Sequence, residues 1–278
     1  MNRLLTLIFL LVTLSALNLC GEVSFAADGV IMEQERYQKG NSTKERGKIW
    51  ISDNKIKFEE GSGRAAAIFN LNTGEMIQID KQGKRYVSAK PEEYFKFIQE
   101  LTLKMKSEME KQLSQLPPDK RAEMEQMMKS QGMTLPGNHP KPKSLTLQKT
   151  NKDQKIAGYA SLKYEIYEDG KLKDAIWTSS DVVKGEIDIE KLSNYLEDIK
   201  DISESATGTV YDSEGQRIYK EVFQSGFPMK TVGYESDGNI YIEEIVNVSK
   251  ANVAETEFIP PQGFKKISLQ EMMTQFGN

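Results

Sequence analysis

The sequence predicts an α+β fold in which a curved antiparallel sheet, shaped as an incomplete β-barrel, is covered by helices and carries an inserted helical hairpin. Two observations predict the sheet: short segments of alternating polarity recur along the chain, and turn dipeptides separate them. Hairpin connections of this kind favour an antiparallel sheet over βαβ units. A third observation, two longer stretches with helical periodicity, predicts the covering helices.

The N-terminal stretch is typical of a secretory signal. Arg3 precedes an apolar run over 4–19, and small residues stand at −3 and −1 of a cleavage site after Ala26. A basic start, a short apolar core and a small-residue junction are the three parts of an export signal. We therefore expect an exported, periplasmic protein with a signal peptide over 1–26 and one domain over 27–278. An uncleaved membrane anchor is the alternative interpretation.

The cysteine and histidine content restricts the chemistry of the chain. The sequence has 1 Cys and 1 His. Cys20 lies in the signal, and Asn18 and Leu19 before it are not the small residues that a lipoprotein signal requires. His139 lies in a proline-rich loop. A disulfide framework, a structural zinc site and an imidazole-based triad are thereby disfavoured. We predict no enzyme, no catalytic residue and no cofactor, and a site built from carboxylates alone is the alternative.

The charge of the chain bears on its partners. The formal net charge is −4, from 37 Lys and Arg against 41 Asp and Glu. A general nucleic-acid binder carries an excess of basic residues on the face that contacts phosphate. We therefore predict no nucleic-acid partner.

The first half of the predicted domain is a series of hairpins. Asp53-Asn54 is a two-residue turn signal between two alternating segments. In the second of these segments Ile56 and Phe58 lie on one face, and charged residues lie on the other. The predicted strands of this half cover 30–37, 48–52, 55–59, 65–71, 76–80 and 85–89.

The hairpin pattern resumes in the second half of the chain. Asp169-Gly170 is a dipeptide that adopts positive φ at low cost, as a type I′ turn requires. Asp237-Gly238 joins the last two predicted strands in the same manner. The predicted strands of this half cover 159–167, 171–178, 217–224, 229–235 and 240–248.

A helical hairpin is predicted over 91–132, between two strands. Apolar residues recur there at helical spacing, and Pro117-Pro118 interrupts the pattern because a proline does not donate a backbone hydrogen bond. The proline-rich stretch 133–143 is predicted to return the chain to the sheet.

Two further helices are predicted in the second half. Residues 188–205 place their apolar side chains on one face, which is typical of a helix lying on a sheet. A short final helix is predicted over 268–276, with Ser268 as N-cap and Glu271 completing a capping box.

Several stretches resemble a known superfamily. The sequence Gly-Lys-Ile-Trp-Ile-Ser-Asp-Asn-Lys-Ile over 47–56, with the hairpins up to Tyr86, resembles the opening half of LolA/LolB-type proteins. The remainder is similar to an uncharacterised exported bacterial family of that superfamily, which has a Pro-Pro-Asp-Lys-Arg-type helical insertion. The stretches that carry this second likeness are 117–128, Ile156–Tyr159, Tyr164, a strand ending at Trp177, and the tail 258–266.

The resemblance implies a fold and a type of ligand. Proteins of the LolA/LolB type are exported carriers that hold lipid acyl chains inside an incomplete antiparallel barrel covered by helices. Two positions depart from the pattern: Ser161 stands where such proteins often have Cys, and Lys57 stands where Arg is common. Any thiol role is therefore lost, and a specific contact of residue 57 with a carboxylate or a headgroup is in doubt.

An apolar interior is the predicted binding site. A curved sheet whose inner face is incompletely covered leaves a cavity suited to a lipid acyl chain or another apolar ligand. The alternative is that the same side chains fill a closed core, and the protein is then a structural or interaction protein of the envelope. The candidate lining residues are Ile49, Ile51, Ile56, Phe58, Ile77, Ile79 and Trp177 from the sheet, and Phe97, Leu101 and Met105 from the helical hairpin.

The helical hairpin is rich in methionine, which permits two interpretations. Flexible thioether side chains suit adaptable apolar packing, and an exposed methionine surface suits an envelope protein or a membrane leaflet. Thioethers at helical spacing also suit Cu(I), which is the weaker interpretation because no histidine lies among them. The residues concerned are Met105, Met109, Met124, Met127 and Met128.

Overall fold

The strands form one open sheet. The structure, a computed structural model, describes residues 26–117, 120–121, 143–207, 213–235 and 237–276. Within this part of the chain, twelve strands are joined in the order β12-β6-β5-β4-β3-β2-β1-β11-β10-β9-β8-β7. They are β1 (Ala26–Gln38), β2 (Glu45–Ser52), β3 (Lys55–Glu60), β4 (Ala65–Asn70), β5 (Glu75–Asp80), β6 (Arg85–Ala89), β7 (Leu145–Ile156), β8 (Tyr159–Glu168), β9 (Lys171–Ser179), β10 (Phe227–Tyr234), β11 (Ile240–Ala254) and β12 (Lys265–Lys266).

Four helices accompany the sheet in the described part of the chain. α1 and α2 contact each other, α2 contacts α3, and α3 contacts β7 and β9. None of these helices is both long and apolar enough to cross a membrane. The helices are α1 (Pro91–Gln115), α2 (Ile189–Thr207), α3 (Ser213–Gln224) and α4 (Leu269–Phe276), and two short 3-10 turns lie at Asp181–Val183 and Glu255–Phe258.

The first strand joins two antiparallel meanders. β1 pairs with β2 on one side and with β11 on the other, so strands β2 to β6 and strands β7 to β11 form one continuous sheet. All pairs are antiparallel except the two-residue strand β12, which runs parallel to β6. β7 and β12 are the two edges of the sheet. The predicted open antiparallel sheet with helices is therefore confirmed.

The predicted turn dipeptides adopt the expected backbone. Asp53 and Asn54 have φ of 47° and 59°, and Asp169 and Gly170 have φ of 49° and 78°. Two consecutive residues with positive φ are the requirement of a type I′ turn, whose twist matches that of the flanking strands. The hairpins at both dipeptides are confirmed.

A third two-residue turn contains an alanine where glycine or asparagine is preferred. Ala157 has φ of 48° in the turn between β7 and β8, and alanine in this region is disfavoured by its Cβ. We expect Ala157→Asn to raise the free energy of unfolding by about 1 kcal/mol, measured by urea titration. Gly158→Ala, at φ of 89° with open space around its Cβ position, is the matched variant and is expected to lower it. A loss of stability in Ala157→Asn contradicts this reading of the turn.

One sequence expectation in the second half is wrong, and one strand was missed. Residues 217–224, predicted as a strand, belong to helix α3, because Ile218 and Val222 are one helical turn apart and pack together against the sheet. Strand β7 was not predicted. Among the described strands it lies at the edge and pairs with β8 alone, and its residues from Gln148 to Lys155 are polar, so it lacks the alternation that marks a half-buried strand.

The other helices agree with the sequence where they are described. α2 matches the amphipathic helix predicted over 188–205, and α4 begins at the predicted capping box. There the Ser268 amide donates to the Glu271 carboxylate at 2.8 Å, and the Glu271 amide donates to Ser268 Oγ at 3.1 Å. α1 ends before Pro117, as predicted, but residues 122–142 lie outside the described residues, and the second helix of the hairpin stays a prediction.

Candidate ligand-binding site

Two rows of cross-strand partners form one apolar face of the sheet. Partners in register lie on the same face, and each row crosses all strands from β1 to β6. We call this surface the helix-covered face. Its first row is Val30, Ile51, Ile56, Phe69, Met76 and Ala89, and its second row is Met32, Ile49, Phe58, Ala67, Gln78 and Val87.

Side chains of α1 and α2 pack on the helix-covered face. Tyr94, Phe95 and Ile98 of α1 join the same buried cluster as the sheet residues, and so do Leu192 and Tyr195 of α2. The cluster therefore lies between the sheet and a layer of two helices that contact each other.

Aromatic rings form the middle of this interface. The Phe58 and Phe69 rings meet edge to face at 5.5 Å, and the Phe69 and Tyr195 rings do so at 5.6 Å. Edge-to-face contacts of this kind stabilise a core beyond the burial of area alone. The sheet and α2 are thus joined through a chain of three rings.

The start of α2 is fixed to a hairpin of the sheet. The Asp188 amide donates to Asn54 Oδ1 at 2.7 Å, and the Asn54 amide donates to the Glu186 carbonyl at 2.8 Å. The Asp188 carboxylate then accepts hydrogen bonds from the amides of Glu190 and Lys191, as an N-cap does. The turn at Asn54 therefore positions the helix that covers the apolar face.

The structure divides the predicted lining residues between two faces. Ile49, Ile51, Ile56 and Phe58 lie on the helix-covered face. Ile77 pairs through Ile68 with Lys57 and Trp50, on the opposite face, and Ile79 lies beside it. The tail of the chain covers that second face, where Phe258 and Phe264 pack against Ile77 and Ile79.

The remaining predicted lining residues lie on β9 and α1. Trp177 of β9 is buried in the same cluster as Ile49 and Ile51, and the ammonium groups of Lys163 and Lys230 lie 5.1 and 5.6 Å from its ring. Phe97 and Leu101 are half-buried on α1, whereas Met105 is placed on this helix without a described side chain.

Lys57 has an internal partner. Its ammonium group donates a hydrogen bond to the Glu257 carboxylate, in the 3-10 turn that precedes the tail, and lies 4.6 Å from the Trp50 ring. Two residues earlier in both segments, the ammonium group of Lys55 forms an ion pair with the Glu255 carboxylate at 2.7 Å. The carboxylate contact that the resemblance left in doubt is thus made within the chain, and it holds the tail on the opposite face.

A buried carboxyl group lies under α3. Asp174 on β9 is 7% exposed and accepts a hydrogen bond of 2.7 Å from the Tyr219 hydroxyl. Burial raises the pKa of the Asp174 carboxyl, and the Tyr219 hydrogen bond opposes this shift only in part. The sequence contained no signal for this pair, because α3 was predicted as a strand.

The raised pKa of Asp174 has a testable consequence. A carboxyl group whose pKa is higher in the folded state than its ordinary value of 3.8 destabilises the fold increasingly as the pH rises above that value. We expect Asp174→Asn, which keeps an oxygen acceptor for Tyr219, to raise the melting temperature at pH 7 and to have less effect near pH 4. Thermal unfolding across this range measures the difference. A gain that is equal at both pH values contradicts the assignment.

The methionine interpretations concern residues that are only partly described. Met109 packs with Leu113 and Leu116 in a small cluster at the end of α1. Met124, Met127 and Met128 lie outside the described residues. Among the described residues, His, Cys, Asp and Glu form no group of three that could hold a metal ion. The Cu(I) alternative rests on methionine and stays a prediction.

Fold and site together define an α+β protein with an open antiparallel sheet, one apolar face of which is covered by helices. Residues 70–264 match the family described as Domain of unknown function (DUF4412). The chain belongs to this family, and its relation to the LolA/LolB superfamily remains a resemblance.

Three solved structures are distantly similar to the chain. PNGF-II is 10% identical with a TM-score of 0.43 over 91% of this chain and 34% of its own. The MucA/MucB complex of Pseudomonas aeruginosa is 9% identical with a TM-score of 0.36, over 88% and 59%. A LolA superfamily protein from Nitrosomonas europaea is 7% identical with a TM-score of 0.25, over 86% and 91%. The chain thus spans less than two thirds of the first two proteins. Among curated proteins none matches the chain.

Proposed function

We propose that this protein is an exported, non-catalytic protein of the cell envelope that binds a lipid acyl chain or another apolar ligand between the helix-covered face and helices α1 and α2. One observation carries the proposal: two rows that are apolar except at Gln78 extend across six strands, and helices rather than a second sheet lie over them. The contacts between this helix layer and the sheet are mainly apolar and non-directional, so an apolar chain can replace part of them without loss of specific hydrogen bonds.

The presence of a bound apolar ligand is tested on the full chain purified from cells. Native mass spectrometry of the full chain, purified from an envelope fraction, is expected to show a bound species that organic extraction removes. The extracted protein is then expected to bind the neutral fluorescent probe N-phenyl-1-naphthylamine. A protein that is empty after purification and also fails to bind the probe contradicts the proposal.

Two variants on the same helix locate the binding surface. Ile98 on α1 packs against the main cluster, whereas Leu103 on α1 is 61% exposed. We expect Ile98→Ser to weaken probe binding about tenfold, because the side chain that contacts the ligand becomes polar. Leu103→Ser is the matched control and is expected to leave binding unchanged.

The second candidate function is the structural or interaction role, in which a partner protein contacts the exposed side of α1. Leu103 is an apolar side chain on that side and serves to test this role. Under this alternative, Leu103→Ser weakens partner capture from an envelope extract and Ile98→Ser does not. The two variants therefore distinguish the candidates.

The position of signal cleavage tests the proposed export. We propose cleavage after Ala26, which leaves strand β1 from Ala27 onwards to pair with β11. N-terminal sequencing of the protein from a periplasmic fraction is expected to begin at Ala27. A protein that retains residues 1–26 in a membrane fraction contradicts the proposal and favours the anchor.

A further inference from the structure

Two tyrosine hydroxyls are buried in the proposed ligand site. Tyr94 of α1 is 5% exposed and Tyr195 of α2 is 6% exposed. Within the described part of the chain, neither hydroxyl has a hydrogen-bond partner. A buried polar group is nearly always hydrogen-bonded, because it loses its bonds to water without replacement. Phenylalanine would fill the same space without that loss, so the two hydroxyls require an explanation.

The two tyrosines lie in the same part of the core. Tyr94 and Tyr195 are in the same cluster, on two helices that contact each other, and the Tyr195 ring packs on Phe69 of the helix-covered face. They are therefore a pair of donors at the junction of α1, α2 and the sheet.

The charges around the pair restrict the acceptor. Burial raises the pKa of both phenols, so each keeps its proton at neutral pH and can donate it. Among the described residues, the carboxylates that act on Tyr195 are Asp198 and Glu75, and both favour its neutral form. Burying an anionic ligand group costs more free energy than burying a neutral oxygen acceptor, and negative charge on Asp198 and Glu75 adds to that cost. A neutral oxygen acceptor is therefore favoured at this position.

We propose that Tyr94 and Tyr195 donate hydrogen bonds to the neutral carbonyl oxygen of an acyl ester, so that the ligand is an esterified acyl chain rather than a free fatty acid. This inference rests on the proposed function, whose ligand class it makes specific. The aliphatic chain packs along the helix-covered face, and the ester group is held where the two helices meet. The acceptor satisfies two hydroxyls that are otherwise buried without a partner.

Three probes of equal chain length test the proposal: methyl oleate, oleate and octadecene, each displacing N-phenyl-1-naphthylamine from the extracted protein. The native protein is expected to bind methyl oleate about tenfold more tightly than octadecene, since each donated hydrogen bond adds to the affinity. Oleate is expected to bind more weakly than methyl oleate. The double variant Tyr94→Phe/Tyr195→Phe is expected to lose the preference for the ester and to keep its affinity for octadecene.

A stability measurement gives an independent readout. Removing two unpartnered buried hydroxyls is expected to raise the melting temperature of the ligand-free double variant by roughly 2–4 °C. Tyr164→Phe is the control, because Tyr164 is a buried tyrosine in the cluster under α3, and it is expected to leave the ester preference unchanged.

The outcomes separate the two proposals. Equal affinity of the native protein for methyl oleate and octadecene, or a lower melting temperature in the double variant, overturns the inference and leaves the proposed function standing. Failure of all three probes to bind overturns the proposed function, and the inference falls with it.

Discussion

Replacing Gly226 by alanine is expected to lower the free energy of unfolding by about 4 kcal/mol or more. Gly226 has φ of 143°, a conformation that residues with a Cβ rarely adopt. A Cβ at this position would lie 2.4 Å from the carbonyl carbon of Ser179 and 2.5 Å from the amide nitrogen of Ser180. These are backbone atoms at the end of β9, where Phe227 of β10 pairs with Ser179, so the clash is relieved only by separating the two strands.

A second glycine provides the control for backbone freedom alone. Gly185 has φ of 89°, but a Cβ there would meet no atom within 4 Å. Gly185→Ala is therefore expected to cost about 1 kcal/mol, from backbone strain without a clash. Urea unfolding followed by circular dichroism measures both variants. If both variants lose the same free energy of unfolding, the close contact with the backbone of Ser179 and Ser180 is not the reason for glycine at position 226.

Local turn chemistry made the hairpins predictable. Asp53-Asn54 and Asp169-Gly170 adopt positive φ at both positions, and that requirement is visible in two residues of sequence. The same holds for the last helix, whose capping box is a contact between Ser268 and Glu271, three residues apart. Such features depend on neighbours in the chain, and they were confirmed.

Features that depend on distant parts of the chain were not predictable in the same way. Ile68 and Phe69 are adjacent in β4, so their side chains lie on opposite faces of the sheet. Both are apolar because both faces are covered. Alternation of polar and apolar residues identifies the buried face of a strand only when the other face is solvated. The sequence pattern therefore placed Ile77 and Ile79 with the residues of the helix-covered face, although they lie on the opposite face. What covers the opposite face is the tail, which lies about two hundred residues further along the chain.

The tyrosine pair illustrates the same limit for the site. Tyr94 belongs to the apolar stripe of α1, and its ring is as suitable for a core as that of phenylalanine. The sequence predicts that the residue is buried, but it does not show whether the hydroxyl finds a partner, because its surroundings include residues from α2 and the sheet. Hydrogen-bond satisfaction is a property of the assembled interface.

The attachment of the tail to the sheet leads to the second large expected effect. The Lys57 side chain is 11% exposed, between the Trp50 ring and the Glu257 carboxylate, and the Glu59 carboxylate lies 3.6 Å from its ammonium group. Removing one partner of a largely buried ion pair leaves a charge without full compensation. Because Glu257 is partly exposed and Glu59 remains, we expect Glu257→Ala to lower the free energy of unfolding by about 2 kcal/mol, less than for a fully buried pair.

The neighbouring ion pair is the matched control for Glu257→Ala. Lys55 and Glu255 make the same type of contact at 2.7 Å, but their side chains are 18% and 46% exposed, so solvent screens the pair more strongly. Glu255→Ala is expected to cost less than about 1 kcal/mol. Limited proteolysis gives a local readout, since release of the tail by Glu257→Ala is expected to speed cleavage after Lys265 and Lys266 more than Glu255→Ala does. If the two variants behave alike, the Lys57 contact is an ordinary surface ion pair, and the apolar contacts of Phe258 and Phe264 hold the tail.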